Sequence, residues 1–274
     1  MNPSTNASPG RTLRVLQVTD MHLCSGNERL AGVDTRATCD AVVATIRDQE
    51  PEADLLLLTG DVVHNDDGDS AAAYEDARRR LEVLDRPGLV TSGNHDDRHL
   101  LEQAFGDGPL RCHGVCAMDN WLFLMLDSSV PGETGGHLSQ WQLQWLDASL
   151  AAHPEAHVLV AMHHHPVAMG SLWIDRIGLD NSAELLSVLD RHRNVRVVLW
   201  GHVHQEYDAW RQGVRLLASP SACVQFAPGR DDFAIDPRPP GYRWLDLGAD
   251  GTVTTGVIRL SQVPAGLDCA LSGY

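Results

Sequence analysis

The chain has 274 residues, 43% of them hydrophobic and 21% charged, which excludes intrinsic disorder and fibrous classes and leaves an ordinary globular protein. Its net charge of −16 disfavours a nucleic-acid partner, because affinity for polyanions comes from cations that displace phosphate counterions. A small anionic substrate stays open where local cations override that field.

Residues 1–10 are rich in Ser, Asn and Pro and lack the basic start and apolar stretch of a secretory signal, so they read as a flexible tail ahead of one domain over 11–274. A β-branched, alternating strand over Leu13–Thr19 breaks at Asp20-Met-His22. Asp34–Gln49 places Ala37, Ala41, Val42 and Ile46 at helical spacing, with Pro51 as the stop. Asp54–Asp61 is a buried strand closing on Gly60-Asp61, Ser70–Leu84 is a helix, and Gly88–Ser92 is a short strand running into Gly93-Asn-His-Asp96. Trp121–Leu126 reads as a strand, and Ser139–Ala152 as a helix opened by the capping box Ser139-x-x-Gln142 and a Leu138/Leu143 staple.

Val158–Met162 is a strand ending in His163-His-His-Pro166, and Val195–Trp200 one ending in Gly201-His-Val-His204. After that, Gln205–Arg211, Arg215–Ser219, Tyr242–Leu247 and Thr252–Leu260 alternate like antiparallel strands, with Asp250-Gly251 as a hairpin turn. No repeat or long linker divides the chain, and 227–274 reads as a β-rich extension completing the domain. Its use in capping the site, covering a sheet edge or forming a homodimer stays open. No apolar run approaches the roughly 20 residues of a membrane span. Six cysteines without a C-x-x-C pair point to reduced thiols and a cytoplasmic protein.

Fourteen histidines gather beside Asp, Asn and Gly where apolar runs end. Five strand-to-loop junctions deliver Asp20 and His22, then Asp61, then Asn94 and His95, then His163, then His202 and His204. Each unit alone reads as a turn, a loop or a solvated histidine. In the order D-x-H, G-D, G-N-H-D, H-H-H-P and G-H-x-H, at successive strand ends, they read as a metal site if those strands share one sheet edge. Residues two apart on an extended strand face one side, which would aim Asp20 with His22 and His202 with His204. Imidazole with carboxylate suits a pair of Fe, Mn, Zn or similar ions, and such a pair, about 3.5–4 Å apart, clamps both oxygens of a phosphoryl displacement. Phosphoester hydrolysis is the reaction these residue types suit, with a hydroxide held by the metals attacking in line.

The motif order resembles that of the calcineurin-like metallophosphoesterase superfamily over nearly the whole chain. That resemblance implies a four-layer α-β-β-α sandwich of mixed α/β class. It implies a first metal held by Asp20, His22, Asp61 and His204, and a second by Asp61, Asn94, His163 and His202, with Asp61 bridging. His95 matches the position that contacts phosphate and assists the leaving group, beside the substrate-facing Asn94, His22 and His204. More narrowly, Trp173-Ile-Asp175, Ala218-Ser-Pro-Ser-Ala-Cys-Val-Gln-Phe226 and Pro240-Gly-Tyr-Arg243 resemble bacterial class III 3′,5′-cyclic AMP phosphodiesterases. This implies hydrolysis of cyclic AMP to 5′-AMP with Fe or Mn, while Zn, Co and Mg stay possible.

Alternatives are a broad phosphodiesterase acting on 2′,3′-cyclic nucleotides or glycerophosphodiesters, and a non-enzymatic binding scaffold. His164 and His165 read as packing or orienting residues, Cys24 as a small packed residue, and His64 as a solvated loop histidine. Trp173 is open between a lid that stacks a base and a buried anchor.

Overall fold

The computed structural model describes residues 10–26, 28–64, 71–112 and 114–273. Residues 1–9 of the tail expected over 1–10, and the first residue of the helix expected from Ser70, lie outside the described residues. In chain order the elements begin with β1 (Leu13–Val18), α1 (Thr35–Gln49), β2 (Leu55–Thr59), α2 (Ala71–Glu82), β3 (Gly88–Thr91), α3 (Arg98–Ala104) and β4 (Leu110–Arg111). They continue through β5 (Val115–Met118), β6 (Trp121–Met125), α4 (Gln140–Ala152), β7 (His157–Met162), α5 (Leu172–Asp175), α6 (Ser182–Leu189) and β8 (Val195–Trp200). The remainder holds β9 (Tyr207–Arg211), β10 (Val214–Ala218), β11 (Gln225–Phe226), β12 (Ile235–Asp236), β13 (Gly241–Leu247) and β14 (Val253–Arg259).

Two six-stranded sheets form, in the orders β14-β13-β1-β2-β3-β4 and β5-β6-β7-β8-β10-β9. Their facing sides share one core, in which Leu13, Val15, Leu55 and Leu57 meet Phe123, Leu159, Val197 and Leu199. The outer face of the first sheet packs Leu16, Leu56 and Leu58 on Val42 and Ile46 of α1 and Ala73 and Tyr74 of α2. The outer face of the second packs Leu124, Val160 and Val198 on Leu146 of α4 and Leu185 of α6. The result is the four-layer α-β-β-α sandwich, and it explains why β2 is an unbroken apolar run: both of its faces are buried. Each such leucine contributes about 1.5–3 kcal/mol of transfer free energy.

The C-terminal strands depart from the expectation in two ways. β10 pairs antiparallel with β9 but parallel with β8, and the β13–β14 hairpin joins the first sheet through β1 while β9 and β10 extend the second. Alternation reports which side of a strand is buried and carries no information about a neighbour's direction. The capping box at α4 is half made. Ser139 accepts from the Gln142 N–H, but the Gln142 side chain turns away to bond the backbone of Asp127 on both its groups. The helices α3 and α6 and the edge strand β5 are too short for periodicity to register along the sequence.

Candidate metal centre

Histidines and carboxylates meet where β1, β2, β3, β7 and β8 end. Three of these strands lie in the first sheet and two in the second, so the expectation of one shared sheet edge is corrected: the donors gather at one end of both sheets. The pleat does not aim them either. Asp20, His22, Asp61, His202 and His204 lie beyond their strands with φ of 54°, 47°, 50°, 65° and 48°. Left-handed backbone of this kind costs about 1–3 kcal/mol per non-glycine residue and persists only where surroundings impose it. Here hydrogen bonds impose it, from Asp20 N to Gly60 O at 3.0 Å, His22 N to Asp61 O at 2.9 Å and His202 N to the Asp20 carboxylate at 3.1 Å.

The glycines beside these side chains are needed for close approach. A Cβ on Gly93 would overlap Asp61 Oδ1, one on Gly201 would overlap Thr19 Oγ1, and one on Gly60 would lie 2.8 Å from Gly93 N. Asp96 ties two of these loops together, accepting from Val62 N at 3.2 Å, Val63 N at 3.1 Å, Gly93 N at 2.9 Å and the Tyr74 hydroxyl at 3.1 Å. Burial, and then the charge of Asp61, push its carboxyl up to about 6. The sequence displayed Asp96 within Gly93-Asn-His-Asp96, but only the folded loops show what it holds.

All the expected site residues come together. His163 Nδ1 bonds Thr59 O at 2.7 Å and His204 Nδ1 bonds Val224 O at 2.8 Å, so both rings donate Nδ1–H outward and turn Nε2 inward. His204 Nε2 lies 3.2 Å from His22 Nε2 and 3.3 Å from Asp20 Oδ1. His163 Nε2 lies 3.1 Å from Asn94 Oδ1 and 3.2 Å from Asp61 Oδ2, while the same Asp61 oxygen is 3.6 Å from His22 Nε2. Asp61 thus stands between two sets of donors. His202 adds a buried Nε2 with no partner among the described residues, and the His202 and His163 rings meet edge-on at 5.0 Å.

Burial drives His22 and His202 well below the ordinary imidazole range, which keeps them neutral. Burial also opposes charge at His163 and Asp61, but their mutual attraction wins: it holds His163 up at about 9 and Asp61 well below the usual carboxylate range. A buried set of lone pairs facing one another, with one orphaned imidazole nitrogen, fits divalent cations of the kind that imidazole and carboxylate share.

His164 also approaches His163 and His202. Both of its ring nitrogens are engaged by protein, however, Nδ1 with Ser128 Oγ at 2.8 Å and Nε2 with Thr134 O at 3.2 Å. His165 is buried with Nε2 3.7 Å from Asp175, and burial lowers it to about 4. Cys24 packs with Leu30, Val33, Cys223 and Val224.

Half-buried Asn94 and His95 stand at the mouth of a cavity of about 340 Å³ that opens onto Asp61, His202 and His204. Its far wall is apolar, made by Trp173, Ile174, Ile177, Phe226 and Phe233. Trp173 meets Phe226 and Phe233 edge-on at 5.1 and 5.2 Å, and Phe226 lies flat against His204 at 3.9 Å between ring centres. Trp173 is therefore part of the cavity wall and packed at the same time. The sequence offered no signal for Phe233, which follows a polar stretch.

The calcineurin-like phosphoesterase family model matches residues 13–206, which span every one of these donors. The chain belongs to the calcineurin-like phosphoesterase family. It is 41% identical over 273 residues to the 3′,5′-cyclic adenosine monophosphate phosphodiesterase CpdA of Pseudomonas aeruginosa, covering 99% of this chain and 97% of that one. It is 40% identical over 249 residues to a 3′,5′-cyclic-nucleotide phosphodiesterase of Nostoc sp., covering 90% and 92%. Among solved structures, a dimetal phosphatase from Danio rerio superposes with a TM-score of 0.62 at 18% identity, over 92% of this chain and all of that one, a likeness of fold. Among the described residues of this phosphoesterase, no helix is long and apolar enough to cross a membrane.

Proposed function

We propose that this phosphoesterase hydrolyses 3′,5′-cyclic AMP to 5′-AMP at a pair of metal ions, with Fe and/or Mn as the resident pair, in the cytoplasm. Asp20, His22, Asp61 and His204 would hold one ion and Asp61, Asn94, His163 and His202 the other. The observation that carries the reading is the aromatic-walled cavity opening onto the donor cluster, in a chain similar from end to end to cyclic AMP phosphodiesterases. About 340 Å³ lies at the small-ligand end of binding cavities and has room for one nucleoside but not a polynucleotide. The net charge of −16 favours the same choice.

Bound divalent ions supply Lewis acidity toward the phosphoryl oxygens and acidify water. The rest falls to the chain. Neutral His22 and His202 and ionised Asp61 orient the centre, and the apolar wall excludes water from the nucleoside side. His95 holds a proton toward the departing 3′-oxygen, a role worth about 10²- to 10⁴-fold. Its backbone N–H is fixed on Asp61 Oδ1 at 2.9 Å, which ties the acid to the bridging carboxylate.

The test compares kcat/KM for cyclic AMP, cyclic GMP, 2′,3′-cyclic AMP and an aryl phosphodiester on manganese-reconstituted protein. Cyclic AMP should lead, and an aryl ester far above every nucleotide would reject the assignment. In parallel, His95→Ala should retain its metal and lose most turnover on cyclic AMP.

A further inference from the structure

The loop after β1 and the loop after β2 run side by side, laced by Leu23 N to Val62 O at 3.0 Å and by His64 N to Leu23 O at 3.1 Å. This lacing sets the His64 ring between two histidines of the centre. Its Nδ1 lies 3.2 Å from His22 Nδ1, and its plane stacks on His95 at 4.5 Å and 25°. His22 and His95 in turn meet edge-on at 5.0 Å. We propose that His64 is a positioning residue with two separable actions: accepting the Nδ1–H of His22 and confining the ring of His95. The second action rests on the reading of His95 as the leaving-group acid.

The first action follows from a comparison within the site. His163 and His204 each donate Nδ1–H to a backbone carbonyl and turn Nε2 inward. His22 also turns Nε2 inward, toward His204 and Asp61, so its proton sits on Nδ1 and His64 Nδ1 takes the place of the carbonyl. Such an outward acceptor fixes the tautomer and raises the basicity of the inward nitrogen. The second action follows from the stack. A ring parallel to His95 on one side, with His22 edge-on to it, limits rotation about the bond that carries the imidazole and keeps its nitrogen aimed into the cavity. Proton transfer depends on that aim as much as on the acid itself.

Substitution separates the two. Asn supplies an acceptor without a ring, Phe a ring without an acceptor, and Ala neither. Measured by chelator competition, the affinity for Mn²⁺ should fall about 10- to 100-fold in His64→Ala and His64→Phe and recover in His64→Asn. With manganese saturating, kcat on cyclic AMP should fall about 10-fold or more in His64→Ala and His64→Asn and be kept in His64→Phe. On bis(p-nitrophenyl) phosphate, whose leaving group needs no proton, all three should stay within about 3-fold. Equal losses on both substrates, or an Asn variant that binds manganese as weakly as Ala, would overturn the proposal. Should His95→Ala itself lose equally on both substrates, the acid reading and the stacking action fall together, whereas the manganese affinities judge the first action independently.

Discussion

The charge of Asp61 keeps a proton on His163 up to about pH 9, yet a divalent cation needs that nitrogen bare. Metal binding between pH 7 and 9 should therefore release about one proton per chain, so that the logarithm of the apparent affinity rises about one unit per pH unit and flattens above about 9. His22 and His202, pushed down by burial, are neutral throughout and add nothing to the slope. Calorimetry in buffers of different ionisation enthalpy counts the protons, and a count of zero or of three would contradict this account. The same crowding makes Gly93 indispensable. Gly93→Ala places a methyl on Asp61 Oδ1, and it should lower both metal content and activity by about 100-fold while leaving far-ultraviolet dichroism unchanged. The residue types at these positions were legible in the sequence. Their left-handed backbone was not, because Asp and His adopt it only where neighbouring loops enforce it.

At the level of elements, the two halves of the centre depend on registering one sheet against the other. Gln17, buried near the end of β1, donates through Nε2 to Thr59 Oγ1 of β2 at 2.7 Å and to Trp200 O of β8 at 2.9 Å, and accepts from the Ser219 hydroxyl. It pins together the strands that carry Asp20, Asp61 and His202. Gln17→Ala orphans these buried partners at a cost of about 2–3 kcal/mol. Denaturant titration should show that loss together with weaker manganese binding, whereas a loss of stability with unchanged metal affinity would mean that the sheets keep their register without it. The long elements β1, α1, β2, β6, α4, β7 and β8 could be read from periodicity and terminators. Sheet membership could not, because Arg215–Ser219 and Tyr242–Leu247 alternate alike yet enter different sheets.

For the whole molecule, inward-facing lone pairs and the left-handed backbone of Asp20, His22, Asp61, His202 and His204 mean that folding and metal binding share one free energy. Each site filled at a metal concentration about 100 times its Kd adds about 2.7 kcal/mol. In a chain of this size 1 kcal/mol moves Tm by about 2–4 °C. Chelation should therefore lower Tm by about 10–20 °C, recovered on adding manganese; an unchanged Tm would show that the donors do not bind cations in the native state. The sequence by itself determined the donor set, its order along the chain and the apolar strands that precede each donor, because chemistry and periodicity are local properties. Only the tertiary structure decided that two sheets bring the donors to one end, that Asp96 and Gln17 tie together the loops and strands that carry them, and that Phe233 walls the cavity beside them. Those facts concern loops and faces brought together from distant parts of the chain, and such proximity has no periodic signature along the sequence.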